Sequence, residues 1–129
     1  MPPGYDDLSA VLRDLAPVRQ PGTFVFVCVD PNVDLGGLAP VATMRESEGV
    51  TLVLEEGQAV QRGFSIAFRA AWITLCVHSD LALVGLTAVV AQALAAAGIS
   101  CNVIAGVHHD HLFVPVDDAE RALAALARA

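Results

Sequence analysis

The stretch WITLCVHSDLALVGLTAVVAQALAAAGIS, residues 72–100, decides how this chain folds. It begins as an apolar strand pattern and passes through the polar trio His78-Ser79-Asp80. Leu83, Leu86, Val90 and Leu94 then fall at i, i+3, i+7 and i+11, the spacing of one helical stripe. The opposite side of that helix carries Thr87, Ala88, Ala91, Gln92, Ala95 and Ala96, all small or polar. Gly98 stops it, and Ile99-Ser100 leads into another strand. The pattern predicts a strand over 68–78, a helix over 83–97 and a strand over 100–105.

No side chain from 81 to 109 is formally charged. Such a stretch is a core, an interface or a membrane span. A spanning helix needs about 20 consecutive apolar residues. The helix-like run 81–97 has 17, is interrupted by Thr87 and Gln92, and has no flanking Lys or Arg to orient it. The expectation is therefore no membrane span. The stripe packs on a sheet, and a second surface, the other half of the chain or the partner in a homodimer, covers the alanines.

Working outward, 112–116 reads as a strand forming a hairpin with 100–105. Asp117 and Asp118 open a last helix with Ala119, Ala122, Leu123 and Leu126 on its apolar stripe. Upstream, Asp6 to Leu15 has helical spacing, ended by Pro17 and Pro21-Gly22. Strands are expected over 23–29, 41–46 and 50–54, a loop over 33–40, and a short helix over 55–62 stopped by Gly63. Shifting the chain by 48 residues lays 24–41 over 72–89 with six of eighteen positions identical, Gly37/Gly85 and Leu38/Leu86 among them. That is the signature of a duplicated unit. Pro40 falls where the second copy is in mid-helix. The first copy therefore lacks a full-length first helix, and its turn is expected to have degenerated.

The 129 residues are 55% hydrophobic and 16% charged, with a net charge of −7 and all seven cations Arg. That balance excludes a disordered chain and gives no footprint for nucleic acid or an anionic membrane. The acidic start is unlike the basic beginning of a secretory leader. The three cysteines, Cys28, Cys76 and Cys101, form no CxxC pair. Each lies in an apolar run, where a free thiol behaves as a small hydrophobe, and the expected address is the cytoplasm. There is no GxSxG elbow, no P-loop and no GxGxxG. Glu55-Glu56 suits a helix start better than acid–base chemistry, and Trp72 is expected in the core. No enzyme activity and no cofactor are expected.

The order strand, Gly-containing turn, helix, strand, strand, helix is the cadence of a ferredoxin-like unit. Three motifs, His78-Ser79-Asp80, Val84-Gly85-Leu86 and Ala97-Gly98-Ile99-Ser100, together resemble the ACT domain, a regulatory amino-acid-binding module. The string GISCNVIAGVHHDHLFVPV, 98–116, is similar to small bacterial proteins made of two ACT-like repeats. Val84 stands where that family commonly has Pro. The resemblance implies an α+β fold of two ferredoxin-like repeats, with antiparallel sheets and helices on one face. These repeats are expected at 1–64, degenerate and preceded by the leading helix, and at 65–129. It further implies that an amino acid or related small metabolite binds Val84, Gly85, Leu86 and Asn102, with Asp80 and Asp110 as secondary contacts.

Chemistry agrees with this reading. The first turn of a helix offers unpaired N–H groups to a carboxylate, and Gly85 allows close approach to the backbone. Asp80 or Asp110 can accept an ammonium, and Asn102 can both donate and accept. Two alternatives come from other classes. One is a metal-binding protein or enzyme using His78, His109 and His111. The other is a ligand-free module that binds a partner protein through a sheet edge. His111, beside the apolar LFVPV segment, is expected to be a partly buried, hydrogen-bonded and pH-responsive histidine.

Overall fold

The computed structural model describes residues 14–77 and 80–129. The helix expected over 6–15 falls almost wholly outside them. In chain order the described elements are β1 (Pro17–Arg19), β2 (Phe24–Val29), β3 (Ala42–Glu46), β4 (Gly49–Glu55), α1 (Glu56–Arg62), β5 (Ile66–Leu75), α2 (Leu86–Ala96), β6 (Asn102–Ala105), β7 (Asp110–Pro115) and α3 (Ala119–Leu126). A single 3-10 turn over Val116–Asp118 leads into α3. The chain divides into two compact units, one of residues 22–70 and one that joins the N-terminal segment up to 21 with 71–129. The repeats expected at 1–64 and 65–129 follow sequence order; the compact units follow backbone pairing. Their boundary at 70/71 falls inside β5.

In the unit of residues 22–70, β2 is a six-residue β-branched and aromatic run. It pairs antiparallel with β4 from Phe24↔Glu55 to Val29↔Val50, and with the first half of β5. β3 pairs β4 on its outer side. Alternation sends Val25, Val27 and Val29 to one face, where Leu52, Leu54 and Ala59 complete a buried cluster. The hairpin between β3 and β4 turns on Ser47-Glu48, so Gly49, expected in the turn, is the first residue of β4. It sits at φ +152, and a Cβ there would lie 2.5 Å from the Val29 carbonyl oxygen and 2.9 Å from Cys28 Sγ. Only glycine fits that approach. Helix α1 ends as its sequence predicts. Gly63 takes φ 69, its N–H reaches the Val60 carbonyl, and the Phe64 N–H reaches Ala59, a Schellman ending.

In the other unit the second half of β5 is neighboured by β1 and β7, and β6 pairs β7 on its far side. The sequence reading missed β1. It has three residues and begins with Pro17, and the two prolines read as helix stops. A proline is tolerated at the first position of a strand, where its absent N–H costs least. From β5 and the residues after it, Ala71, Ile73, Leu75 and Val77 point to one face, as do Leu112 and Val114 from β7. Leu86, Val90 and Leu94 of α2 and Ala119, Ala122, Ala125 and Leu126 of α3 cover them.

Helix α2 begins at Leu86, three residues later than the hydrophobic pattern suggests. Residues 80–83 form a turn closed by the Leu83 N–H on the Asp80 carbonyl at 3.0 Å, and Gly85 at φ 100 breaks the helical path. At the far end Arg121 donates to the Ala97 carbonyl, a cation on a helix C-terminus, and pairs with Asp118 at 2.8 Å. On the back of α2, Thr87, Ala88, Gln92, Ala95 and Ala96 are exposed. Among the described residues no helix is long and apolar enough to cross a membrane.

Two substitutions test this account. Gly49→Ala should lower the denaturant midpoint, because the strand must move off Val29 to admit the methyl group. Leu94→Ala, at a fully buried position, should cost about 2–5 kcal/mol in urea unfolding. Near-wild-type stability in both would place the cores elsewhere.

Candidate functional site

The site is built at the end of β5 from which the chain turns back into α2. α2 has 11 residues, no acidic residue in its first turn and, with Gly85 at its N-cap position, no side-chain cap. Its leading N–H groups thus receive no side chain at the N-cap position and carry a partial positive charge. Gly85 reaches φ 100, a conformation that L-residues rarely adopt. Leu86 turns its side chain into the core, at 4% exposure, while Val84 stands 85% exposed. Asp80 is exposed, and its carbonyl closes the turn onto Leu83.

The β6–β7 hairpin approaches this end. His111 Nδ1 lies 3.1 Å from both Trp72 Nε1 and Thr74 Oγ1, and His109 Nδ1 lies 3.5 Å from the Val77 carbonyl. Residue numbers fall along β7 as they rise along β5, so the strands are antiparallel and β7 begins where β5 ends. Asp110, the half-buried first residue of β7, lies at that end. It alternates with Leu112, which belongs to the helix-covered face.

The structure therefore gathers Asp80, Val84, Gly85 and Leu86 on one turn, with Asp110 at the adjoining strand end. It does not gather Asn102 with them. α2 carries the chain about 16 Å away at 1.5 Å per residue, and Asn102 starts β6 beyond it, opposite Phe113. Its register also puts it on the sheet face away from the helices, opposite in sense to Asp110. His78 and Ser79 lie outside the described residues.

Of the alternative histidine set, His111 has its Nδ1 engaged by Trp72 and Thr74. Among the described residues no group of three or more His, Cys, Asp or Glu is placed to hold a metal. His111 is half-buried and hydrogen-bonded, as its apolar flank predicts. Burial pushes its pKa below the ordinary value, the nearby His109 acts in the same direction, and Asp110 opposes them. Trp72 is a correction: it is only half-buried and lies on the sheet face opposite the helices, stacked on Phe113 with ring centroids 6.1 Å apart. The cysteines are another. Cys28 and Cys76 are exposed because strand alternation turns them away from the cores, and only Cys101 is half-buried. Burial raises the Cys101 thiol pKa, which suppresses the reactive thiolate.

The corresponding turn of the first repeat is built differently. Gly37 shares the positive φ of Gly85, at 82, yet residues 30–41 contain no helix. Pro40 lacks the N–H that a helix there would need. The loop is filled by its own neighbours instead. Arg62 donates to the Asp34 and Gly36 carbonyls at 3.0 and 2.8 Å, Gln58 Oε1 accepts the Ala39 N–H at 3.0 Å, and Asp34 Oδ1 accepts the Gly36 N–H at 2.8 Å. Sequence reading missed the Arg62 clamp. Its only trace was a cation in the last turn of a short helix.

Antiparallel strands with helices packed on them, in two unequal copies, define an α+β ferredoxin-like fold. Two family models, both described as ACT domain, match in tandem over residues 3–71 and 68–128. The chain belongs to the ACT-domain family, whose members are typically regulatory and ligand-binding. It is 46% identical to a solved protein from Vibrio cholerae described as of unknown function and a possible transport protein, with 94% of each chain covered and a TM-score of 0.85. An Agrobacterium tumefaciens protein shares the fold at 18% identity, over 83% of this chain and 82% of that one, with a TM-score of 0.64. The regulatory subunit of aspartate kinase from Thermus thermophilus shares it at 12% identity, over 90% and 97% of the two chains, with a TM-score of 0.64. No curated protein sequence matches the chain.

Arg62→Ala should speed amide hydrogen exchange at Gly36 and Ala39 severalfold. Because Arg62 is exposed, it should lower global stability by less than about 1 kcal/mol. Unchanged exchange at both amides would show that the clamp does not order the loop.

Proposed function

We propose that this chain is a non-catalytic, cytoplasmic regulatory protein that binds a free amino acid or a related small metabolite at the turn 80–86 of its second repeat. One observation carries the reading. The N-terminus of α2 has neither a capping side chain nor an acid in its first turn, at the strand end that also holds Asp110. A ligand carboxylate is stabilised by the α2 N–H groups. Its ammonium pairs with Asp110 or Asp80, and its side chain lies along Val84. The aspartate kinase subunit among the structural neighbours is by its description a regulatory subunit, which supports a regulatory role without naming the ligand. Asn102 has no part in this arrangement. The first repeat, its turn filled by Arg62, binds nothing at the equivalent position. A homodimer that covers the exposed Thr87, Ala88 and Ala95 face completes the proposal.

A thermal-shift panel of the twenty amino acids and divalent metals tests it. A specific amino acid at 100 times its Kd should stabilise the fold by about 2.7 kcal/mol, a rise of several degrees. Val84→Glu places a carboxylate beside the helix N-terminus, so it should abolish that shift without lowering the Tm of the free protein. A chelator-reversible rise with zinc and none with any amino acid would overturn the proposal. A full amino-acid shift retained in both Val84→Glu and Asp110→Asn would move the site elsewhere. Light scattering after size exclusion should give twice 13.4 kDa.

A further inference from the structure

On the sheet face turned away from α2 and α3, side chains of β5 and β7 meet at one imidazole. Trp72 Nε1–H donates to His111 Nδ1 at 3.1 Å, and the Thr74 hydroxyl lies 3.1 Å from the same nitrogen. Thr74 is 5% exposed and accepts from the Gln20 amide at 3.0 Å, just beyond β1. An indole nitrogen can only donate. Its bond therefore requires a lone pair on Nδ1, and the His111 proton sits on Nε2. That edge faces the hairpin turn, where a Cβ on Gly106 would lie 3.3 Å from Nε2.

Protonation brings the imidazole and the indole into direct conflict. A proton on Nδ1 can be shared with Thr74, whose oxygen has two lone pairs and can accept from His111 and Gln20 together. It cannot be shared with Trp72, because two N–H groups would then face each other. The indole is only half-buried and also stacks on Phe113, ring centroids 6.1 Å apart, so losing the His111 bond shifts its nitrogen edge while the core behind the sheet stays intact. We propose that His111 is a pH-operated latch on Trp72: neutral, it holds the indole N–H; protonated, it lets that edge go and changes the surface that face presents.

The surroundings set the direction. Burial and the like charge of His109 disfavour the imidazolium, and Asp110 favours it. From β5 the groups facing His111 are Trp72 and Thr74, both uncharged, with the Cys76 thiol further along. β6 contributes Ile104 directly opposite and Asn102 two residues away, and Gln20, just after β1, reaches Thr74. Arg19 pairs with Ile73, whose side chain belongs to the other face. His108 lies in the hairpin turn beside His109, ring centroids 6.5 Å apart. The folded-state pKa thus lies below the ordinary value of 6.5. The latch is fully closed above that value and opens as pH falls through the folded-state value.

Trp72 is the single tryptophan, so its signals report the latch in the intact protein. Between pH 7.5 and 4.5 its emission should shift to the red and its indole N–H should exchange faster. Both changes should share one midpoint below 6.5 with the His111 ring proton in NMR, while far-UV circular dichroism stays constant. His111→Gln retains an acceptor without a titratable group and should abolish the transition. His109→Gln should keep it and raise its midpoint, and Trp72→Phe should raise the His111 midpoint. Four results would each overturn the latch: a proton on Nδ1 at neutral pH, His111 titrating under an unchanged indole, the transition surviving in His111→Gln, or its loss in His109→Gln.

Discussion

The burial of Ala71, Ile73, Leu75 and Val77 under α2 and α3 is the constraint from which the arrangement of the second unit follows. A strand alternates its side chains between two faces. Once these four face the helices, Trp72 and Thr74 must face away. The same rule on β7 sends Leu112 and Val114 inward and His111 and Phe113 outward. The Trp72–His111–Thr74 cluster is thus a geometric consequence of the core. Thr74 can be buried as a polar residue because Gln20 and His111 satisfy its hydroxyl.

The two repeats share a plan and have diverged in one place. Gly37 and Gly85 take the same left-handed conformation at matched positions. Val29 and Val77 are both buried, and Cys28 and Cys76 are both exposed. After the glycine the copies part. Leu86 begins a helix with no capping side chain at its N-cap position. In the first copy Pro40 forbids that helix, and Arg62 takes up carbonyls of the loop that stands in its place. The glycine turn thus occurs twice and the helix that follows it once.

Most of the elements were legible because their patterns are local. The stripe Leu86, Val90 and Leu94, the glycine at the end of α1 and the β-branched run of β2 each fix their own geometry. Boundaries were legible only within a few residues: the apolar stripe continued back to Leu83, while Gly85 set the true start of α2 through its φ. Site residues separated by a whole helix could not be placed together or apart from spacing alone, and Asn102 shows it. It follows the ACT-like step into β6 in sequence, yet a helix of about 16 Å stands between it and the turn 80–86 along the chain.

The sequence by itself determined the fold class, the duplicated plan, the loss of the first repeat's helix and the turn that opens the second. Each rests on hydrophobic period, glycine or proline, and these act on the backbone within a few residues. Only the tertiary structure decided which side chains share a face, that β1 completes the second unit, that Asp110 lies at the strand end beside the turn 80–86, and that His111 accepts the hydrogen bond of the single tryptophan. Those depend on strand register and on pairing between segments more than fifty residues apart, Pro17 with Leu75 among them, which local patterns do not encode.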